Sequence, residues 1–366
     1  MQRTNAPILA RLVTAGPAIA GEIALCVIVL VFIVPRVIHR KSALEQPSTP
    51  NMSVADYNRQ GNELYEQHLF KRAAAEYGHM IEKAPDYTSG YLLRGMAEDK
   101  LGDFKRAVRD DTEGLKHAQA ADMVSALYYH RGLARRNMGD HKQAVSDFSE
   151  AIAAEPTIGD AYEIRAFCYT ELKEYDKAIA DYTFAIAQNA HPGTVFERGQ
   201  AYLMKKDYRS ALADLNRSLK DRPDFVPAYR LRADAHVGMK EYGQAVADAE
   251  SALRLDGSAV GRGSLGWYQY LAGKLQEAIA NSQTAIKMDP NAAFAHFNLG
   301  LCYAVQGNAD SAQPAYRDAL QHAKTPDIQG AIHDVKDALI KQPNSSALKQ
   351  AATLLQAALP LAAATP

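Results

Sequence analysis

Five arginines, Arg94, Arg131, Arg165, Arg198 and Arg232, each stand immediately before a glycine or alanine, and each is followed sixteen residues later by an aspartate: Asp110, Asp147, Asp181, Asp214 and Asp248. Guanidinium and carboxylate groups at a fixed separation can do one of two things. Left open, the arginines form a ladder of bidentate donors for an acidic ligand; joined to the aspartates, they make charge-assisted hydrogen bonds that pin one segment to another. The corresponding positions elsewhere lose both partners together, with Gln60 and Glu76, Leu265 and Asn281, and Leu299 and Ala315. Joint loss and joint presence favour structural pairs, because a paired guanidinium is largely neutralised.

Little else in the sequence suits catalysis. The 11 histidines are scattered, with no HExxH motif and no pair at i and i+4. There is no phosphate-binding Walker loop, dinucleotide glycine fingerprint or GxSxG elbow. His130 and His236 read as packed or surface residues. Cys26, Cys168 and Cys302 lie far apart without metal spacing or an even-numbered disulfide framework. A net charge of −1 gives no electrostatic footprint for nucleic acid. The chain therefore reads as a non-enzyme, with no cofactor and no nucleic-acid partner.

The element that positions the Arg and Asp pairs is the stretch Asp140 to Pro156, DHKQAVSDFSEAIAAEP. Copies begin at Leu69, Asp103, Glu174, Asp207, Glu241, Lys274 and Asn308, an interval of about 34 residues. Each is preceded by a second helical pattern centred on a small residue: Gly61, Gly95, Gly132, Ala166, Gly199, Ala233, Gly266 or Gly300. With Tyr128, Gly132, Arg135, Ala144, Phe148, Ala151 and Pro156 in order, the chain resembles the tetratricopeptide repeat family. The resemblance covers roughly residues 54 to 325. It implies an all-α fold, a right-handed superhelical solenoid of about eight helix hairpins that share their core between neighbours.

Around this array the sequence predicts an N-terminal tail (1–17), a transmembrane or signal-anchor helix (18–38), a linker (39–53) and C-terminal capping helices with a tail (326–366). The anchor rests on the apolar run Ile23 to Val34, which ends in Pro35, Arg36, His39, Arg40 and Lys41 rather than in a small-residue cleavage site. Basic residues on both flanks, Arg3 and Arg11 against Arg36, Arg40 and Lys41, leave its orientation open. The chain is expected to be a single-pass membrane protein with its repeats on one side.

Within the family, first helices face a concave surface that holds a peptide or a partner's helix. Transferred position by position, the early surface is mixed: Asn58, Asn62 and Tyr65, then Leu92, Met96 and Lys100, then Tyr129, Arg136 and Asn137. The later surface is apolar and aromatic, with Phe196, Gln200, Leu203 and Met204, then Trp267, Tyr270 and Leu271, then Phe294, Phe297 and Leu301. Exposed, such a patch marks a contact site, and Trp and Tyr are frequent binding hot spots. The late residues are therefore the candidate anchors for a protein or peptide partner.

The competing expectation is that the chain covers the patch itself. Ile328, Ile332, Val335 and Leu339 share one helical face and suit a cap, while the following helix with Leu348, Ala351 and Leu355 could fold into the groove. Family members that clamp a chaperone's terminal carboxylate use five polar positions; here these hold Asn58, Asn62, Leu93, Ala126 and His130, of which only Asn62 fits. Gly261, Gly263 and Gly266 in one first helix predict a soft point in the array. The functional expectation is a membrane-tethered scaffold binding a partner in its groove. The alternatives are a non-catalytic subunit that activates an enzyme complex and a self-associating structural scaffold.

Overall fold

The computed structural model describes residues 52–188, 191 and 193–363. The expected tail and anchor, and the linker up to residue 51, lie outside the described residues. Ser53, the last linker residue, is the N-cap of the first helix and forms a capping box with Asp56. Among the described residues there are eighteen helices and no strand, and no helix is long and apolar enough to cross a membrane.

The chain divides into two compact units, the first ending at Lys205 and the second beginning at Lys206. The first holds α1 (Val54–Glu66), α2 (Phe70–Lys83), α3 (Thr88–Lys100), α4 (Phe104–His117), α5 (Ala121–Asn137), α6 (His141–Ala154), α7 (Gly159–Glu171), α8 (Tyr175–Ala187) and α9 (Thr194–Lys205). The second holds α10 (Tyr208–Asp221), α11 (Val226–Gly238), α12 (Tyr242–Asp256), α13 (Ala259–Leu271), α14 (Leu275–Met288), α15 (Ala293–Val305), α16 (Ala309–His322), α17 (Thr325–Lys341) and α18 (Ser346–Ala363). In each unit, consecutive helices as far as α16 pack as antiparallel hairpins stacked on their neighbours.

The turn inside each hairpin is set by one residue in the left-handed region. Gly102, Gly139, Gly273 and Gly307 have φ of 77°, 79°, 77° and 78°, and His68, Lys173, Lys206 and Lys240 hold the same place at 59°, 63°, 68° and 62°. A glycine adopts this conformation without penalty, whereas a side chain costs about 1–2 kcal/mol. Asp103, Asp140, Asp207 and Asn308 then cap the second helix by accepting a hydrogen bond from the backbone N–H three residues on.

Small residues face large ones across each hairpin. Ala73, Ala107, Ala144 and Ala178, like Ala245, Ala278 and Ala312, are buried where the two helices of a hairpin meet. A Cβ at Gly132 would fall 2.8 Å from the Phe148 ring, so only glycine fits there. Three residues added to the repeat between Asp103 and Asp140 lengthen α5 to 17 residues, against 13 in α3 and α7. They are absorbed as additional helix, not as a kink.

The C-terminal helices depart from the repeat. By pattern α17 would pack on α16, but α18 takes that place, while α17 packs on α15 and α18. Phe297, Leu301, Tyr316, Ile328, Val335 and Leu348 form one buried cluster, with Trp267 and Tyr270 packed against it. The expected roles are thus exchanged: the helix read as the cap lies on the first-helix face, and the last helix continues the stack. The reason is that α17 pairs its Ile328, Ile332 and Val335 stripe with the aromatic first-helix face.

Candidate functional site

The Arg and Asp groups come together within hairpins. Arg94 donates from Nε and Nη2 to Asp110 at 2.6 and 2.7 Å, Arg165 does the same to Asp181 at 2.7 and 2.9 Å, and Arg232 to Asp248 at 2.9 and 2.5 Å. Asp147 accepts from Arg131 and also from Arg135, each at 2.7 Å. Arg198 and Asp214 belong to different units; Asp214 is buried. The aspartates that are 2–8% exposed would carry an uncompensated charge without these partners.

A second half of the ladder was not anticipated. The remaining guanidinium nitrogen, Nη1, donates to an oxygen on the preceding second helix: Arg131 to Thr112, Arg165 to Ser149, Arg198 to Thr183, and Arg232 to Asn216. Each acceptor lies two residues after the aspartate position of the previous repeat, where Ser, Thr, Thr and Asn recur. That recurrence was present in the sequence but is masked by the change of residue type. Arg131, Arg165 and Arg232 therefore each join their own hairpin to the second helix before it.

The late aromatic candidates are packed residues, Phe297 buried and Trp267, Tyr270 and Phe294 half-buried. Phe297 and Leu301 are 4% and 3% exposed, and the Trp267 and Tyr270 rings stand 5.6 Å apart under the C-terminal cluster. Leu271 packs on the cluster built by Val246, Leu265 and Tyr268, and Phe294 on Ala292 and Ala295. Phe294 also explains Gly263, where a Cβ would fall 2.1 Å from its ring, and Asn298 donates to the Gly263 carbonyl at 3.1 Å. The glycines expected to soften this helix admit its neighbours closely. In the first unit Phe196 is buried, while Leu203 and Met204 are half-buried. In the second unit the α17 and α18 cluster packs on Trp267, Tyr270, Phe297 and Leu301, while Leu271 and Phe294 pack on neighbouring repeats, so these residues are not the exposed anchors that the pattern predicts.

The first-helix face of the first unit carries the polar and charged groups. Lys100 and Asn137 are exposed, Phe167 is 37% exposed, and Arg136 donates to Asn137. Glu197 stands beside Glu163; burial, and then that neighbouring carboxylate, push it up to about 8, against a hydrogen bond with Tyr182 and the charge of Arg136. Burial likewise raises Glu163 and Asp160. These acidic residues on α7 and α9 do not stand out in the sequence, because carboxylates on helices ordinarily face solvent.

Three of the five positions compared with the chaperone-tail clamp, Asn62, Leu93 and His130, are engaged within the fold. Asn62 accepts from Tyr77 Oη at 2.8 Å, Leu93 is buried, and His130 Nδ1 lies 2.7 Å from the fully buried Asp111. Burial pushes Asp111 up to about 6, against the pull of His130. Asp111 occupies the place of Phe148 and Tyr182, so His130 is a packed residue that replaces an aromatic contact with a polar one. The buried thiols Cys168 and Cys302 are both pushed up to about 12 by desolvation, which leaves them as unreactive core residues. Cys26 lies outside the described residues.

Stacked helix hairpins with a 34-residue period, small residues at the helix crossings and an exposed first-helix face define a helical repeat protein. The chain belongs to the tetratricopeptide repeat family, whose model matches residues 129–191, 196–260 and 264–331. Among curated proteins of Saccharomyces cerevisiae, it is similar to small glutamine-rich tetratricopeptide repeat-containing protein 2, 40% identical over 83 residues (22% of this chain and 24% of that protein). It is also similar to heat shock protein STI1, 32% identical over 101 residues (27% and 17%). The chain spans about a quarter or less of the length of these relatives. Among solved structures, the C-terminal part of a TPR repeat-containing protein from Cytophaga hutchinsonii matches with a TM-score of 0.57 at 19% identity, covering 66% of this chain and 98% of that one. A tetratricopeptide repeat protein from Parabacteroides merdae matches at 0.54 and 18% identity, covering 74% and 98%. Both likenesses concern the fold.

Proposed function

We propose that this protein is a scaffold that binds a peptide or helix of a partner protein on the first-helix face of its first unit. The observation that carries the reading is the contrast between the two units. In the second, the corresponding aromatics lie under α17 and α18; in the first, Phe167, Lys100 and Asn137 stay exposed beside Arg136 and Glu163. A mixed face with one exposed aromatic suits a partner segment that adds its own apolar anchor and polar contacts. The Ile23 to Val34 run and its basic flank support a further element of the proposal, that residues 18–38 hold this scaffold at a membrane.

Affinity capture with the full chain tests the assignment. Phe167→Ala with Arg136→Ala should lose a defined partner while the thermal midpoint shifts by only a few degrees. Trp267→Ala should lower the midpoint and retain the partner. Retention by the first variant and loss by the second would place binding on the second unit. Sedimentation with lipid vesicles, comparing the full chain with one lacking residues 1–38, tests the tether; equal sedimentation would remove it.

A further inference from the structure

The Arg ladder has one incomplete rung. At the first junction the acceptor position is Gly78, where the next four repeats carry Thr112, Ser149, Thr183 and Asn216. Arg94 uses Nε and Nη2 on Asp110, and its Nη1 meets no acceptor among the described residues; a Cβ built on Gly78 would stand 3.7 Å from it. Ala74 is reduced as well, since the same position holds Val108, Val145, Ile179 and Leu212 in those repeats. The two small residues open a groove of about 770 Å³ between α2, α3 and α4.

Two further observations say what the groove would take. Glu98, which lines it, is 7% exposed, and its buried Oε2 has no hydrogen-bond partner. Most other charges in the groove are already matched: Asp110 by Arg94, Arg106 by Asp103 at 3.2 Å and Glu113 by Lys116 at 2.6 Å, while the largely solvent-exposed Glu82 stands 3.3 Å from His79. Lys71 and Arg109 form no ion pair among the described residues. The cations left over are Lys71, Arg109 and the Nη1 edge of Arg94. On the acidic side the exposed Glu82 and the buried Glu98 remain, and burial, followed by the Asp110 charge, pushes Glu98 up to about 7, so it can hold a proton near neutrality.

We infer that this groove binds the side-chain carboxylate of an acidic peptide. One carboxylate oxygen takes the place that the Ser, Thr or Asn oxygen fills in the other repeats and accepts from Arg94 Nη1. The other accepts from the Glu98 carboxyl, and Lys71 and Arg109 supply the long-range attraction. The site is independent of the first-helix face proposed above.

The test is calorimetric titration of the full-length protein with a blocked hexapeptide alternating aspartate and alanine, at low salt. The expected result is binding that weakens at least tenfold in Gly78→Ser, which restores the missing acceptor, and in Arg109→Ala. Gly78→Ser places its Cβ at an ordinary van der Waals distance, 3.7 Å from Arg94 Nη1, so its thermal midpoint should be unchanged or higher. Glu98→Gln, which fixes a donor in place of the carboxyl, should retain binding; loss there would overturn the carboxylate assignment. The asparagine version of the peptide should bind at least tenfold more weakly. Equal binding by Gly78→Ser, no binding by the natural protein, or succinate binding as tightly as the peptide would each overturn the proposal.

Discussion

At the scale of single residues, the charged groups inside this protein fall into two kinds. The Arg and Asp pairs hold ionised partners face to face, so each desolvated carboxylate keeps a compensating charge. Glu197, Glu98 and Asp334 are instead pushed up to about 8, 7 and 7, with burial the largest cause in each. In the unfolded chain such groups titrate near pH 4. The folded state therefore binds more protons between about pH 4 and 8, and this contribution to stability is present at the acid end and lost as the pH rises through the folded values. The thermal midpoint is expected to fall from pH 5 to pH 8. Glu197→Gln should flatten that fall and be the more stable protein at pH 8, as scanning calorimetry at the two pH values would show; an unchanged slope would mean that Glu197 is ionised throughout.

At the scale of helices and turns, the repeat was readable because its constraints are steric and recur. Gly132 cannot carry a Cβ against Phe148, and Ala144 sits at a helix crossing, so both residue types are visible as period. The Arg and Asp spacing was readable for the same reason. Asp111 was not, since it stands where other repeats have an aromatic ring and its partner His130 lies nineteen residues away in the next hairpin. The first-helix acidic cluster also escaped notice, because Glu163 and Glu197 are ordinary surface residue types and only packing between α7 and α9 buries them. The turn position shows how local chemistry and repeat register can disagree. Lys173 has φ of 63°, and its equivalents Gly102 and Gly139 adopt 77° and 79°. Lys173→Gly should raise stability by about 1 kcal/mol, the left-handed penalty less the glycine's extra unfolded entropy. Chemical denaturation would detect this as a higher midpoint at constant slope; a lower midpoint would show that the lysine side chain contributes a contact that outweighs the backbone cost.

At the scale of the whole molecule, stability in a repeat protein comes from each hairpin and from its interfaces with its neighbours, so an end needs a different solution from the middle. The second unit closes with two helices of unequal roles. α18 continues the stack against α16, with Gln313 donating to Gln350 at 2.7 Å, and α17 lies on α15, where Asp334 and Asp337 approach Tyr270. The sequence carried the apolar stripes of both helices but not their exchange, because either stripe could satisfy either surface. Removing residues 325–366 strips this cover from Phe297, Leu301 and Tyr316, each large buried side chain contributing roughly 1.5–3 kcal/mol when withdrawn from water. The loss should stay local. Hydrogen exchange of the truncated protein is expected to show α15 and α16 losing protection by at least tenfold, with α3 to α7 unchanged. Unaltered protection of the Leu301 amide would mean that the last hairpin is stable without its cover and that α17 is a detachable occupant of the late face. Loss throughout the chain would instead make the C-terminal helices a requirement for folding both units.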